Sequence, residues 1–214
     1  MRKWILCVLF ALGVLAIQAQ TDDASMKLLS KVSSTYKSST GTELKIKITI
    51  DDSKTKMHQA ASGTLKTKGR MFVLQSDMAT MLFDGKDLYA YNKKTNEVTI
   101  SEPEAEELEE VDPTSIINQY KTGYKIDKPE ELTVNGRPAK LVKLYPEDRD
   151  QEFFKIEMYV YTDTYQPCKM ITFSKNGVQN TIVIEKMETN KQFPANTFVF
   201  DKQKYPNAEI IDIR

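Results

Sequence analysis

Hydrophobic and polar residues alternate with a period of two along much of this chain. Leu44, Ile46, Ile48 and Ile50 alternate with Lys45, Lys47, Thr49 and Asp51, which predicts a strand with one dry and one wet face, as antiparallel sheets commonly have. The same rhythm returns where Phe154, Ile156, Met158 and Val160 alternate with Lys155, Glu157, Tyr159 and Tyr161. Between these, Leu88 and Ala90 alternate with Tyr89 and Tyr91 after the turn signal Asp84-Gly85, and residues 92–96 separate them from another alternating run at 97–100. Asp84-Gly85 predicts a tight two-residue turn, because both residues tolerate positive φ. Three short strands about two turns predict a meander. Further strands are expected at 56–68, with Gly63 as a bulge, at 71–75 and at 81–83. Hairpins about Asn135-Gly136 and Lys175-Asn176-Gly177, and closing segments at 194–200 and 210–213, bring the total to ten or eleven. Short strands at regular spacing predict a barrel or strongly curled sheet.

Helical periodicity is scarce. Leu28, Leu29, Val32 and Tyr36 predict a helix over 22–36 with Asp22 or Asp23 as its cap. Asp112-Pro113 opens a second, Asp as cap and Pro at the first helical position, with Ile116, Ile117 and Tyr120 as its apolar stripe. Two or three short helices cannot cover the dry face of so many strands. A sheet curled around that face accounts for the imbalance, with the inside either packed solid or hollow.

The amino terminus stands apart from this pattern. Arg2 and Lys3 precede an uncharged apolar run at 4–17, and Ala19 offers a cleavage point, the layout of a secretory signal peptide over 1–19. Residues 20–214 are then expected to form a single domain, with no apolar run long enough to span a bilayer. Cys7 lies too early to be an acylated lipoprotein cysteine, and Cys168 is left alone, so no internal disulfide forms. Its place behind Pro167 in a strand favours a buried, inert thiol over a reactive or metal-binding one. Removing Arg2 and Lys3 leaves 28 basic against 30 acidic side chains, a net charge of −2. That balance does not favour nucleic acid or an anionic membrane surface.

Candidate chemistry is sparse. His58 is the single histidine, which removes His-rich metal sites and most His-based triads by count. There is no nucleophile elbow and no glycine-rich phosphate loop, so neither a catalytic residue, a metal nor a cofactor is expected. Seven acids fall within residues 102–112. They lack the ligand spacing of a calcium loop and are expected to form a solvated helix start or a docking surface for a basic partner. Met26, Met57, Met71, Met78, Met81, Met158, Met170 and Met187 are either core filling or an adaptable lining for apolar ligands.

The chain resembles the periplasmic outer-membrane lipoprotein carrier proteins called LolA. The resemblance runs from about Ala24 to Arg214 and rests on several motifs in order. These are Leu28-Leu29-Ser30-Lys31-Val32, then Gly63-Thr64-Leu65 leading through Lys68-Gly69-Arg70 to Phe72, and the stretch Phe83-Asp84-Gly85-Lys86-Asp87-Leu88-Tyr89-Ala90-Tyr91. Asp112-Pro113 with Ile116-Ile117, and Phe198-Val199-Phe200 before Tyr205-Pro206, complete the set. The resemblance implies a mainly β fold with an α lid: an unclosed antiparallel β-barrel whose two to three helices cover a hydrophobic cavity. It implies a carrier, not an enzyme, that takes acylated lipoproteins from an inner-membrane ABC transporter. The cargo would pass through the periplasm to the outer membrane and an acceptor there. By position the lining is expected to include Phe72, Leu74, Ile116 and Ile117, and alternation adds Ile46, Ile48, Ile156 and Met158. Family carriers often use an arginine near this point to latch the lid. Here Gly69 aligns most directly and Arg70 is offset by one, so Arg70 is the expected latch residue. The protein is expected to be a monomer in the periplasm.

Two other readings share parts of this pattern. A binding or sensor domain on the same scaffold would read lipids or lipoproteins in envelope-stress signalling, since fold alone does not fix function. A carboxylate-dependent secreted hydrolase would need a catalytic arrangement that the sequence does not display.

Overall fold

Asp22 starts the described chain by capping its first helix. The computed structural model describes residues 22–105, 107–108 and 120–214; the expected signal peptide (1–19) and the lid-helix residues Asp112, Pro113, Ile116 and Ile117 lie outside them. The Asp22 carboxylate accepts hydrogen bonds from the backbone N–H groups of Ala24 and Ser25 at 2.9 and 3.0 Å, satisfying donors that a helix start leaves without partners. Helix α1, Asp23–Lys37, follows and buries Leu28, Leu29 and Val32. Ser25 Oγ donates to the carbonyl of Asp127 at 2.6 Å, and Asp22 N–H to that of Ile126 at 3.1 Å, so the start of the helix is tied to the far edge of the sheet.

Among the described residues thirteen strands follow: β1 (Thr42–Asp52), β2 (Met57–Lys68), β3 (Met71–Ser76), β4 (Ala79–Phe83), β5 (Leu88–Asn92), β6 (Glu97–Ser101), β7 (Tyr124–Ile126), β8 (Glu130–Val134), β9 (Arg137–Pro146), β10 (Phe153–Tyr161), β11 (Pro167–Ser174), β12 (Val178–Thr189) and β13 (Glu209–Asp212). They form one sheet in the order β13-β6-β5-β4-β3-β2-β1-β12-β11-β10-β9-β7, with β8 also on β9. The two ends of that path do not pair, so the curled sheet stays unclosed. The expected two to three helices are not matched. Among the described residues α1 is the one full α-helix, beside a single 3-10 turn at Lys202–Lys204 and helical backbone at 105 and 107–108; the second helix expected from Asp112-Pro113 falls outside them.

Other expectations change in detail. The sheet is antiparallel except at its edge, where β13 runs parallel to β6 from Glu209 opposite Glu97 to Asp212 opposite Ile100. Asp84-Gly85 does not make a two-residue turn. Four residues separate β4 from β5, and the Asp84 carboxylate accepts from Lys86 and Asp87 N–H at 2.9 and 2.8 Å, holding a wider loop than Gly alone would. Asn135-Gly136 is the two-residue turn expected, with φ of +50° and +77° and Val134 opposite Arg137. Gly63 is not a bulge. It pairs in register with Ile46 and Ser76, and a Cβ there would lie 2.6 Å from the Gln75 carbonyl oxygen. The bulge lies instead on β12 at Glu185, opposite the step from Lys45 to Ile46.

Residues 194–200 form turns, not the expected strand. They lie over the convex face of the meander, where Phe198 packs with Val73 and Leu82, flanked by Met71, Tyr89 and Phe193. Phe200 stacks on Tyr89 at 4.5 Å and on Tyr205 at 5.6 Å between ring centroids. β3 and β4 are therefore apolar on both faces because both are covered.

Candidate functional site

The concave face is assembled by register. One row of side chains crosses six strands, Val142, Met158, Met170, Ile182, Ile48 and Ala61, each directly opposite the next. A second row runs Met187, Leu44, Leu65, Leu74, Met81 and Ala90 from β12 to β5. The rows overlap on β12, β1 and β2, so together they span the curled sheet from β9 to β5. Neither contains an ionisable group, and such a surface can hold hydrocarbon but cannot carry acid–base or nucleophilic chemistry.

Two apolar clusters sit on this face. At one end Leu28, Leu29 and Val32 of α1 pack with Tyr120, Ile126, Val142, Leu144, Ile156, Met158 and Val160. At the other, Leu44, Ile46, Leu65, Phe72, Phe83, Leu88 and Leu108 gather, with Phe72 and Phe83 rings 5.9 Å apart. Tyr36 packs against both. Between them the side chains of Ile48, Met170, Ile182, Ile184, Leu74, Met81 and Met187 are half-buried, so the middle of the apolar face is not fully covered. The methionines divide accordingly. Met26, Met81, Met158, Met170 and Met187 border the interior, whereas Met57 and Met78 are 40% and 46% exposed.

On β10 the charged side chains lie on the convex side. Lys155 bonds Glu157 at 2.9 Å and lies over the Phe173 ring, and Tyr159 donates to Glu157 at 3.1 Å. Burial, reinforced by that carboxylate, pushes Tyr159 up to about 12. Glu157 is held below the usual carboxylate range: burial alone would raise it, but the bonds from Lys155 and Tyr159 outweigh it. His58 is exposed and meets Asp51 at 2.6 Å, as a surface pair. Cys168 is 2% exposed, and burial raises its thiol, in keeping with the inert reading.

The sequence-expected lining residues Ile46, Ile48, Phe72, Leu74, Ile156 and Met158 all face the concave side, divided between the two clusters. Ile116 and Ile117 lie outside the described residues. Arg70 is exposed in the β2–β3 turn, with no hydrogen bond or ion pair to another described residue; the lid it is expected to latch lies outside them. Met170 and Met187, weighed in the sequence as core or lining, lie on the same surface; Ile182 and Ile184 belong to it too but were not expected there. The bulge at Glu185 breaks the alternation of β12 after Ile184, which hides that face from a reading based on period two.

The sequence matches the family described as outer membrane lipoprotein carrier protein LolA over residues 15–168. The chain belongs to this LolA-like family. A curated relative, the uncharacterized protein MJ0687 of Methanocaldococcus jannaschii, is 27% identical over 139 residues, which are 62% of this chain and 38% of the relative. The chain thus spans well under half the length of that relative. Among solved structures, an uncharacterized conserved protein from Thermus thermophilus superposes with a TM-score of 0.59 at 12% identity, covering 89% of this chain and 99% of that one. A DUF1329 family protein from Desulfovibrio piger gives 0.50 at 10% identity, over 84% and 97%. At these identities the structures share the fold.

Proposed function

We propose that this LolA-like protein is a soluble periplasmic carrier whose concave apolar face binds the acyl chains of lipoproteins. In this reading it accepts them from an inner-membrane ABC transporter and delivers them to the outer membrane, where an acceptor takes them. The observation that carries the reading is the half-buried middle of the concave face, a continuous band of isoleucine, leucine and methionine without an ionisable group. Leaving such a band uncovered costs free energy that an acyl chain recovers, at about 0.8 kcal/mol per CH₂ buried. Flexible thioethers suit cargo whose chains differ in length and position. Half-covered aliphatic groups also suit binding that must reverse, because they can close on one another when the cargo leaves. On this account Ile46, Ile48, Phe72, Leu74, Ile156 and Met158 line the acyl site, with Ile116 and Ile117 on its lid.

Release of radiolabelled lipoprotein from inner-membrane vesicles that contain the cognate transporter tests this. The expected result is a soluble complex of lipoprotein with the purified protein. A sensor on the same scaffold would bind lipid without releasing lipoprotein. Lipid binding without release would therefore replace the carrier reading with the sensor one.

A further inference from the structure

Tyr120 is 1% exposed and lies in the cluster where α1 meets β9 and β10, among Leu28, Leu29, Val32, Val142, Ile156 and Met158. Its hydroxyl is buried with no hydrogen-bond partner among the described residues. Three tyrosines on the outer side fare differently. Tyr145 bonds Asp127 at 3.1 Å, Tyr159 bonds Glu157 at 3.1 Å and Tyr91 bonds Asn96 at 3.0 Å. The buried Ser25 hydroxyl beside the same helix is also satisfied, by the Asp127 carbonyl. An unpaired buried hydroxyl destabilises the fold, and phenylalanine would fill almost the same volume without that penalty. Its bonding capacity is therefore unused by the described residues.

The chemistry of the surroundings limits what can use it. Among the described residues every other buried member of the cluster is a hydrocarbon or thioether side chain, and a largely apolar guest matches them. An acyl chain itself offers the hydroxyl nothing. The carbonyl that attaches the chain, as ester or amide, is an acceptor without a donor of its own in the ester case, and it matches a phenolic O–H. Resting on the acyl-chain reading above, we propose that the Tyr120 hydroxyl donates a hydrogen bond to the carbonyl of a bound acyl ester or amide. The interior then distinguishes acyl from alkyl chains and fixes how deep the head of the chain enters.

Monopalmitoylglycerol and its ether analogue hexadecylglycerol differ at this carbonyl and serve as probes, with the purified protein and its Tyr120→Phe variant. The wild type should bind the ester about three- to tenfold more tightly than the ether, the range of one neutral hydrogen bond. Tyr120→Phe should lose that preference, keep the wild-type affinity for the ether, and melt at a higher temperature. Equal affinity of the wild type for both probes would overturn the proposal, as would an ester preference that survives in Tyr120→Phe. Failure of the folded wild type to bind either probe would instead overturn the acyl-chain reading on which it rests.

Discussion

Ile182 stands midway along the row that crosses six strands, between Met170 and Ile48, and is half-buried. Ile182→Asp therefore separates folding from binding. A charge at Phe72 cannot, because Phe72 is 2% exposed and its loss would remove the core beneath it. In the free variant the aspartate keeps part of its hydration. The stability lost is then about half the 1.5–3 kcal/mol of a fully buried isoleucine, or about 1–1.5 kcal/mol. When an acyl chain covers the site, about 1 kcal/mol of apolar contact is missing. Stripping water from an unpaired polar group adds on the order of 1–3 kcal/mol. The sum of about 2–4 kcal/mol corresponds to roughly thirty- to several-hundred-fold weaker binding. The assay is displacement of a fluorescent fatty-acyl probe by a diacylated lipopeptide, with circular-dichroism melting on the same samples. Thr181→Asp is the control, since Thr181 points to the other face, opposite Thr49 and Ile171, and should bind as wild type. A folded Ile182→Asp variant that binds within threefold of wild type, or a Thr181→Asp variant that binds worse than Ile182→Asp, would refute the reasoning.

The remaining predictions concern the frame around this surface. Gly63→Val should lower the melting temperature, by about 1–3 kcal/mol of stability, because its Cβ would meet the Gln75 carbonyl at 2.6 Å; an unchanged melt would contradict the register between β2 and β3. Arg214 bonds Asp212 and Asp87, each at 2.6 Å, and its side chain and backbone N–H bring Asp212 down to about 2. A depressed carboxylate contributes stability above its unfolded value, near 3.9, and loses it as pH falls toward the folded value. The difference in melting temperature between wild type and Arg214→Ala should thus be constant at pH 5–7 and shrink between about pH 4 and 2; a difference that grows in that window would reverse the sign. Native Cys168 should resist iodoacetamide at pH 8 and react promptly in denaturant, as its burial and raised thiol require; equal rates in both states would contradict the buried placement.

Sequence patterning carried some elements further than others, for physical reasons. β1 was legible because its convex side is wet, so Leu44, Ile46 and Ile48 stand out against lysines. The Asn135-Gly136 turn was legible because its positive φ values restrict the residues that fit. β12 was legible as a strand, and Met187 as a lining candidate, but not Ile182 and Ile184, since the Glu185 bulge puts Met187 out of step with them. Phe198-Val199-Phe200 looked like a strand, yet Phe198 is 5% exposed and Val199 55%, each placed by the local turn and not by a ladder. The uninterrupted apolar runs Phe72-Val73-Leu74 and Met81-Leu82-Phe83 carry a signal of two covered faces, although they do not reveal that the carboxyl-terminal segment is the second cover. Parallel pairing of β13 with β6 depends on contacts far apart in the chain and leaves no mark in local pattern. Tyr120 was visible as part of an apolar stripe, but the unpaired state of its hydroxyl follows from packing alone.

The meander shows both outcomes in one place. Leu88 faces the apolar interior cluster, while Tyr89 turns outward to stack on Phe200 and Tyr91 to meet Tyr205 at a tilt of 52°. Its concave side is a wall of the acyl site on the present account, and its convex side holds the end of the chain.

Site-specific photo-crosslinking tests the central claim most directly. A photoreactive phenylalanine analogue is placed singly at positions 48 and 182 on the concave face and at positions 47 and 181 on the convex face, and each protein is mixed with a lipopeptide carrying a labelled acyl chain. The account predicts crosslinks to the acyl chain from 48 and 182 and background levels from 47 and 181. Equal labelling of the two faces, or labelling confined to 47 and 181, would contradict it.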